Sequence, residues 1–221
     1  MATKDKKGPD SQIVVLKDVR ASFLHVFTPQ VQENDDGTER RTFNGNFMMG
    51  KGADATKRNL AAVKKASAAA RKAKWGDDEK KWPKIPSHKM CLRDGDNADH
   101  TDREEYEGHY FLSASTPEDK PCRVLTNRKG SDNLWIEAEP GQKRSPYSGC
   151  YCNVIVRIWA QDNKHGKRIN AALQTVQFLR DGEPFGAQNA DADDLLTEDD
   201  VSYDGDLDDD VDGDEDDDDL I

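Results

Sequence analysis

Residues 151–160 read YCNVIVRIWA, and the period of that stretch decides the fold. A two-residue repeat puts Cys152, Val154, Val156, Ile158 and Ala160 on one face and Tyr151, Asn153, Ile155, Arg157 and Trp159 on the other, the pattern of a half-buried β-strand. The first face is core. The second sets two aromatic rings among a guanidinium and an amide, the chemistry that stacks on unpaired bases and grips phosphates. The competing account of that face is packing, with Tyr151 and Trp159 covering a second apolar layer under a loop, since both residue types are usually well buried.

Outward from this strand the chain stays β-rich. Runs at 13–28, 42–49, 110–115, 123–126, 134–138 and 170–179 are separated by turn signals such as Pro117, Pro140-Gly141 and the segment 163–166. The first run reads as one long or bent strand, because Ile13, Val15 and Val19 alternate before Phe23, His25 and Phe27 start a second set. Residues 75–102 read as loop with a short strand near 90–93. One helix interrupts the strands, over about 54–75: Asp54 is the expected N-cap, 55–74 contain neither Gly nor Pro, and Gly76 is the expected C-cap. Its apolar side is narrow (Leu60, Val63, Ala70), whereas Lys57, Arg58, Lys64, Lys65, Arg71, Lys72 and Lys74 face no acid within it. Many short strands with one inserted helix indicate a mainly β fold, a small closed or partly open barrel.

Charge is divided along the chain. Residues 189–221 carry 18 of the 44 acids and no Lys or Arg, which leaves 26 acids against 32 Lys and Arg in 1–188. The formal net charge of −12 is therefore a body of +6 with a −18 appendage. A basic body attracts polyanions, and a tethered polyanion competes for the same cations. The expected organisation is a disordered basic start at 1–10, one nucleic-acid-binding domain at 11–188, and a disordered acidic tail at 189–221, whose sparse Leu195, Leu196, Val201, Tyr203 and Leu207 cannot offset ordering entropy. No apolar run approaches the roughly 20 residues of a membrane span, so the expectation is a soluble intracellular protein.

Other chemistries fit less well. Gly45 to Lys51 spells G-x-x-x-x-G-K, yet Gly52 stands where a metal-holding hydroxyl belongs, and Phe47, Met48 and Met49 look like strand pleats. His88-x-x-Cys91 and Cys150-x-Cys152 have the atoms for zinc, but two of those thiols lie on or beside an apolar strand face, so buried reduced thiols are expected and no metal or cofactor. A metal-dependent nuclease built from Asp94, Asp96, Asp99, Asp102, Glu104 and Glu105 is the enzymatic alternative, set against solvated charge in a turn-rich loop. A third reading is an interaction protein whose acidic tail is the active part, as a DNA mimic or a chaperone for basic partners.

The stretch 147–161, YSGCYCNVIVRIWAQ, with Gly166 to Asn170, Val176-Gln177-Phe178 and Gly182-Glu183, resembles bacteriophage single-stranded DNA-binding proteins of OB-fold type. Residues 43–54, FNGNFMMGKGAD, are similar as well, so the likeness spans about 13–186. The tail adds an independent likeness: bacterial and T7-like phage single-stranded DNA-binding proteins end in an acidic run with an apolar tip, as Asp216, Asp217, Asp218, Asp219, Leu220 and Ile221 do here, although those tips generally end in an aromatic residue. The resemblance implies an OB-like barrel without catalysis, whose groove holds displaced strands during phage replication or recombination in the cytoplasm of the infected host. It also implies that the tail recruits replication or recombination proteins.

Together these readings assign base stacking to Tyr151, Trp159, Phe47, Tyr110 and Trp135, and phosphate neutralisation to Lys51, Arg123, Arg128, Lys129 and Arg157, with Asn153 beside them. The expected ligand is single-stranded DNA without sequence preference. RNA, duplex DNA and a homo-oligomer stay open.

Overall fold

The computed structural model describes residues 10–33, 37–97, 100–101 and 103–185. The expectations for the first nine residues, for Asp99 and Asp102, and for the acidic tail with its tip Asp216 to Ile221 lie outside the described residues.

Eight strands and one α-helix follow one another as β1 (Ile13–Glu33), β2 (Glu39–Gly50), α1 (Asp54–Trp75), β3 (Leu92–Asp94), β4 (His109–Pro117), β5 (Arg123–Lys129), β6 (Trp135–Glu137), β7 (Tyr151–Asn163) and β8 (Gly166–Arg180). Short 3-10 turns at Glu79–Lys81, Ser87–Lys89 and Glu104–Tyr106 occupy the connections around β3. The fold is mainly β, an OB-like barrel of five strands in the order β1-β2-β4-β8-β7. All of its pairings are antiparallel except the closing one, where β4 meets β8 in parallel through Ser115 and Ala172.

The bend anticipated in β1 is what lets one strand serve two partners. Its first part pairs with β7, from Ile13↔Arg157 to Arg20↔Tyr151, and its later part with β2, from Arg20↔Met48 to Glu33↔Glu39. Register breaks occur between Leu16 and Val19 and between Ser22 and His25, where Asp18 and Phe23 take positive φ of 51° and 49°. Such bulges re-aim a strand and free backbone groups from the ladder. Here side chains take them up: Lys17 N–H donates to Asn59 Oδ1, Asp18 N–H to Asn153 Oδ1, and Leu24 N–H to Ser148 Oγ. A left-handed Phe is costly, and the Phe23 ring lies 4.3 Å beneath the Arg103 guanidinium.

Along the other seam β4 and β8 touch at a single pair, and the gap beside it is filled by the chain entering β3. Met90 bridges Ile169, Cys91 N–H donates to Ile169 O at 2.8 Å, and Ser113 N–H donates to Cys91 O at 2.9 Å. Farther along β8 its free edge takes β5 in parallel, Arg123↔Thr175 to Leu125↔Gln177, and β6 folds back on β5 as an exposed hairpin.

The inner face of β7 is sealed as its alternation predicts: Cys152, Val154, Val156 and Ile158 have no accessible surface. They share one core with Leu16, Val19, Phe47, Leu112, Val176 and Phe178. β2 departs from simple alternation. Met48 points away from that core yet is buried, covered by Tyr106 and Phe111 in a second small cluster.

The helix ends where Gly76 predicts, with φ 86° and its N–H bonded to Lys72 O. Its start is displaced by one residue: Ala53 is the N-cap without a side-chain bond, and Asp54 is the first helical residue, its carboxylate favourably placed in the first turn and 3.1 Å from Lys57. The buried stripe is also more polar than expected, comprising Thr56, Asn59, Val63, Ala66, Ser67 and Ala70, with Leu60 half-buried. Asn59 explains why. Its amide accepts from Lys17 N–H at 3.1 Å and donates to Lys17 O at 2.9 Å, satisfying both backbone groups beside the first bulge. The Walker-like residues Gly45 to Gly50 are strand throughout, so no phosphate-wrapping loop exists there. Among the described residues no helix is long and apolar enough to cross a membrane.

Replacing Asn59 by Ala therefore strips two backbone groups of their partners at once. A loss of about 1–3 kcal/mol of folding stability is expected, the cost of unsatisfied buried polar groups, read as a lower urea midpoint with unchanged slope.

Candidate nucleic-acid interface

A groove of about 820 Å³ runs over the β4–β8 seam. One wall is the arm formed by the end of β1 and the start of β2, which contributes Gln30, Gln32, Arg40 and Thr42. The opposite wall is the far end of the β7–β8 hairpin, with Trp159, Gln161, Asn163, His165, Arg168 and Asn170. The floor comes from Asn44 and Asn46 of β2, Ser113 and Ser115 of β4, and the segment from His88 to Arg93. The seam dictates this shape: two strands that meet at one pair diverge on either side of it, and the hairpin arms rise beyond the barrel.

The chemistry of the lining is one-sided. Arg40, Lys89, Arg93 and Arg168 bring four cations, and no Asp or Glu lines the groove. None of the four has a carboxylate partner among the described residues. Seven side-chain amides and three hydroxyls supply both donors and acceptors; Trp159, 40% exposed, is the one large ring of the lining, beside the imidazoles of His88 and His165. Such a surface attracts an anion along its length and can hydrogen-bond polar edges that are not already paired.

The floor is pre-ordered. Arg93 donates to Ser113 Oγ, Ser113 Oγ donates to Asn46 Oδ1, Asn46 Nδ2 donates to Tyr106 OH at 2.8 Å, and Tyr106 OH donates to Ser22 Oγ. The Arg93 guanidinium lies 4.8 Å from the Phe111 ring centre, and its Nε–H is buried without a partner. Burial pulls its pKa below the ordinary arginine value, though an arginine side chain stays charged. A half-buried cation with an unspent donor and no counter-ion is a point of anion attraction.

The structure separates the residues singled out in the sequence. Trp159 lies in the groove. Arg157, on the same strand face, is outside it, paired with Asp10 at 3.0 Å and donating to Gln12 Oε1. Asn153 and Tyr151 lie outside the groove and have partners within the fold. Asn153 receives Asp18 N–H and donates to Gln177, while the Tyr151 ring is covered by Arg180 at 3.4 Å, itself paired with Asp18. Phe47 is fully buried and cannot reach a base. Lys51 is spent on Asp94 and Asp96 and lies 4.9 Å over Tyr110, away from the groove.

That clasp holds the carboxyls of Asp94 and Asp96 below the usual carboxylate range and occupies two of the six acids of the nuclease reading. Arg123 is paired with Glu137 at 3.2 Å. Arg128, Lys129 and Trp135 lie on the β5–β6 hairpin, with Lys129 5.1 Å from the Trp135 ring; Arg128 borders a separate hollow with Ile136, Lys143 and Arg144. The groove residues passed over were legible as a pattern: Asn44 and Asn46 alternate with Phe43, Gly45 and Phe47, so the face opposite the core carries two small amides between Thr42 and Met48.

A family model described as Enterobacter phage Enc34, ssDNA-binding protein, matches residues 12–210. A curated relative, putative protein p50 of Acyrthosiphon pisum secondary endosymbiont phage 1, is 33% identical over 177 residues, covering 78% of this chain and 85% of that protein. The single-stranded DNA-binding protein from bacteriophage Enc34, solved in complex with ssDNA, superposes with a TM-score of 0.62 at 27% identity, over 80% of this chain and 90% of that one. The same phage protein solved with a C-terminal truncation gives 0.59 at 27% identity, over 79% and 90%.

The four cysteines take no part in the groove's chemistry. All are free and buried. Only Cys91 borders the groove, and burial pushes its thiol up to about 12, those of Cys122 and Cys150 to about 11, and that of Cys152 well above the ordinary 9.0. Thiols held protonated are poor nucleophiles and poor zinc ligands. The folded protein is expected to resist iodoacetamide at pH 8 and to label fully in urea. Because the folded thiols ionise later than the unfolded ones, stability is complete below the ordinary thiol value of 9.0 and falls as pH rises above it. A urea titration at pH 7 and pH 10 measures the difference.

Proposed function

The chain belongs to the family of the Enterobacter phage Enc34 ssDNA-binding protein, and we propose that it holds single-stranded DNA in the groove over the β4–β8 seam, without catalysis and without sequence preference. The observation that carries this reading is the groove's composition, four cations without a carboxylate partner among the described residues and seven amides around one exposed tryptophan, with no acid in the lining. Backbone charge draws any nucleic acid, but amides on the floor and a stacking ring on the wall gain most from bases whose edges and faces are free. Arg40, Lys89, Arg93 and Arg168 neutralise phosphates, and Trp159 stacks on a base. Cations of the outer barrel that already have carboxylate partners, Lys51, Arg123 and Arg157, contribute little.

The acidic segment 189–221 fits the same scheme as a competitor. A tethered polyanion of 18 acids lowers apparent affinity at low salt and yields to a longer polyanion. Its end, Asp216 to Ile221, offers acidic and aliphatic chemistry to replication or recombination proteins. The setting in which such a protein serves is phage DNA replication or recombination in the host cytoplasm.

Two measurements test this. For oligothymidylate binding, the log–log salt dependence is expected to have a slope of about −3, from about −0.7 for each of four neutralised phosphates, and Trp159→Ala is expected to cost about 1–3 kcal/mol while leaving the folded state intact. A salt-independent affinity, or a tryptophan variant that unfolds without selective loss of binding, overturns the assignment. Truncation after Gln188 is expected to tighten binding at low salt and to change little at high salt; equal or weaker binding at low salt rules out competition by the tail.

A further inference from the structure

The outer surface of α1 carries an array that the groove does not use. Basic pairs recur every seven residues along it, Lys57-Arg58, Lys64-Lys65 and Arg71-Lys72. Seven residues are nearly two helical turns, so the pairs fall almost in line, about 10.5 Å apart and roughly 21 Å from first to last. The buried stripe of the helix occupies the opposite side. Arg58, Lys64 and Lys65 are exposed and have no carboxylate partner among the described residues; Lys57 and Lys72 have only the exposed partners Asp54 and Asp77.

The array leads to the groove. Arg71 donates to Pro83 O at 3.3 Å and lies 3.8 Å from the sulfur of Met90, which lines the groove. One turn later Trp75 Nε1 donates to Asp162 Oδ2 at 2.8 Å, on the hairpin between the groove residues Gln161 and Asn163. The C-terminal turns of α1 are thus fastened to two parts of the groove's border, and Lys89, next to Met90 in the chain, brings its Nζ close to the hairpin turn at Gly166.

We infer that α1 extends the DNA path: a strand leaving the groove past Lys89 continues along the basic pairs of the helix, held by its phosphates alone. The inference rests on the proposed groove binding and adds a second, purely electrostatic segment to it. No ring or amide accompanies the array, so this segment neutralises charge and reads no base. Continuity with the groove favours a nucleic-acid strand over an acidic protein segment as its occupant.

The test uses the full chain and two oligothymidylates, one of about eight nucleotides, within the range a single OB barrel accommodates, and one of about thirty. In the Arg58→Gln, Lys64→Gln, Lys65→Gln triple variant, affinity for the long strand at low salt is expected to fall about tenfold, with a salt slope shallower by about 2. The short strand is expected to bind within about twofold of wild type. The charge-keeping variant Arg58→Lys, Lys64→Arg, Lys65→Arg is expected to match wild type on both, with circular dichroism confirming the helix in each. Equal losses on both lengths, no loss on either, or tighter binding of the long strand overturns the inference, the last by pointing to an acidic protein segment on this surface. Failure of the wild-type protein to bind the short strand strikes the groove reading instead.

Discussion

The barrel depends on one strand satisfying two neighbours. β1 can close the sheet only by turning between its pairing with β7 and its pairing with β2, and each turn removes backbone groups from the ladder. A bulge in a buried sheet is tolerable when those groups find other partners. Asn59 from α1, Asn153 from β7 and Ser148 from the chain before β7 each bond a backbone N–H at one of the bends. The helix is therefore more than a cover: its most buried polar residue is part of what permits closure. Closure in turn brings β4 against β8, and the groove exists because that contact is so short.

Electrostatics then divides the surface. Over most of the barrel cations and acids are matched locally, Lys51 with Asp94 and Asp96, Arg123 with Glu137, Arg157 with Asp10, Arg180 with Asp18, Arg41 with Glu39 and Glu118. Exposed pairs of this kind add little stability. Their consequence is that they quench the local field; among the described residues, cations without a carboxylate partner remain in the groove, on the outside of α1 and around the hollow bordered by Arg128, Lys143 and Arg144. Clustered positive charge of this kind steers a polyanion to a particular place.

Much of the barrel was legible because burial on one side imposes a period of two. The inner face of β7, the bend in β1, the helix and its glycine stop all follow from local pattern and turn chemistry. The binding surface was less legible, for a geometric reason. The outer face of β7 runs well beyond the groove: near its start Tyr151 lies under Arg180 and Asn153 bonds Asp18 N–H, while Trp159, near the far end, enters the groove. Phe47 shows the converse error, an aromatic beside a lysine that belongs wholly to the core. Arg40, Arg93 and Arg168 come together only through a parallel contact between strands more than fifty residues apart, at Ser115 and Ala172, which no local period announces. The acids of the turn after β3 likewise find Lys51 only through the fold.

On the proposed reading, the groove's floor offers a way to accept different bases without being loose. Amides and hydroxyls present both a donor and an acceptor, so each accepts more than one base edge, whereas a fixed guanidinium–base pair selects one. Tolerance of that sort is costly if every side chain must be ordered on binding. The chain from Arg93 through Ser113, Asn46 and Tyr106 to Ser22 is ordered beforehand, anchored at its far end in the small cluster around Met48 and Phe111. Arg93 is held over Phe111 with one donor still unspent, so the anion-attracting point is rigid, and amides around it are themselves partnered, Asn44 with Gln30 and Gln161 with Asn163 and Asn170. A stiff cation and a set of amides that can exchange their mutual bonds for those of a ligand are thus set side by side in one pre-ordered groove.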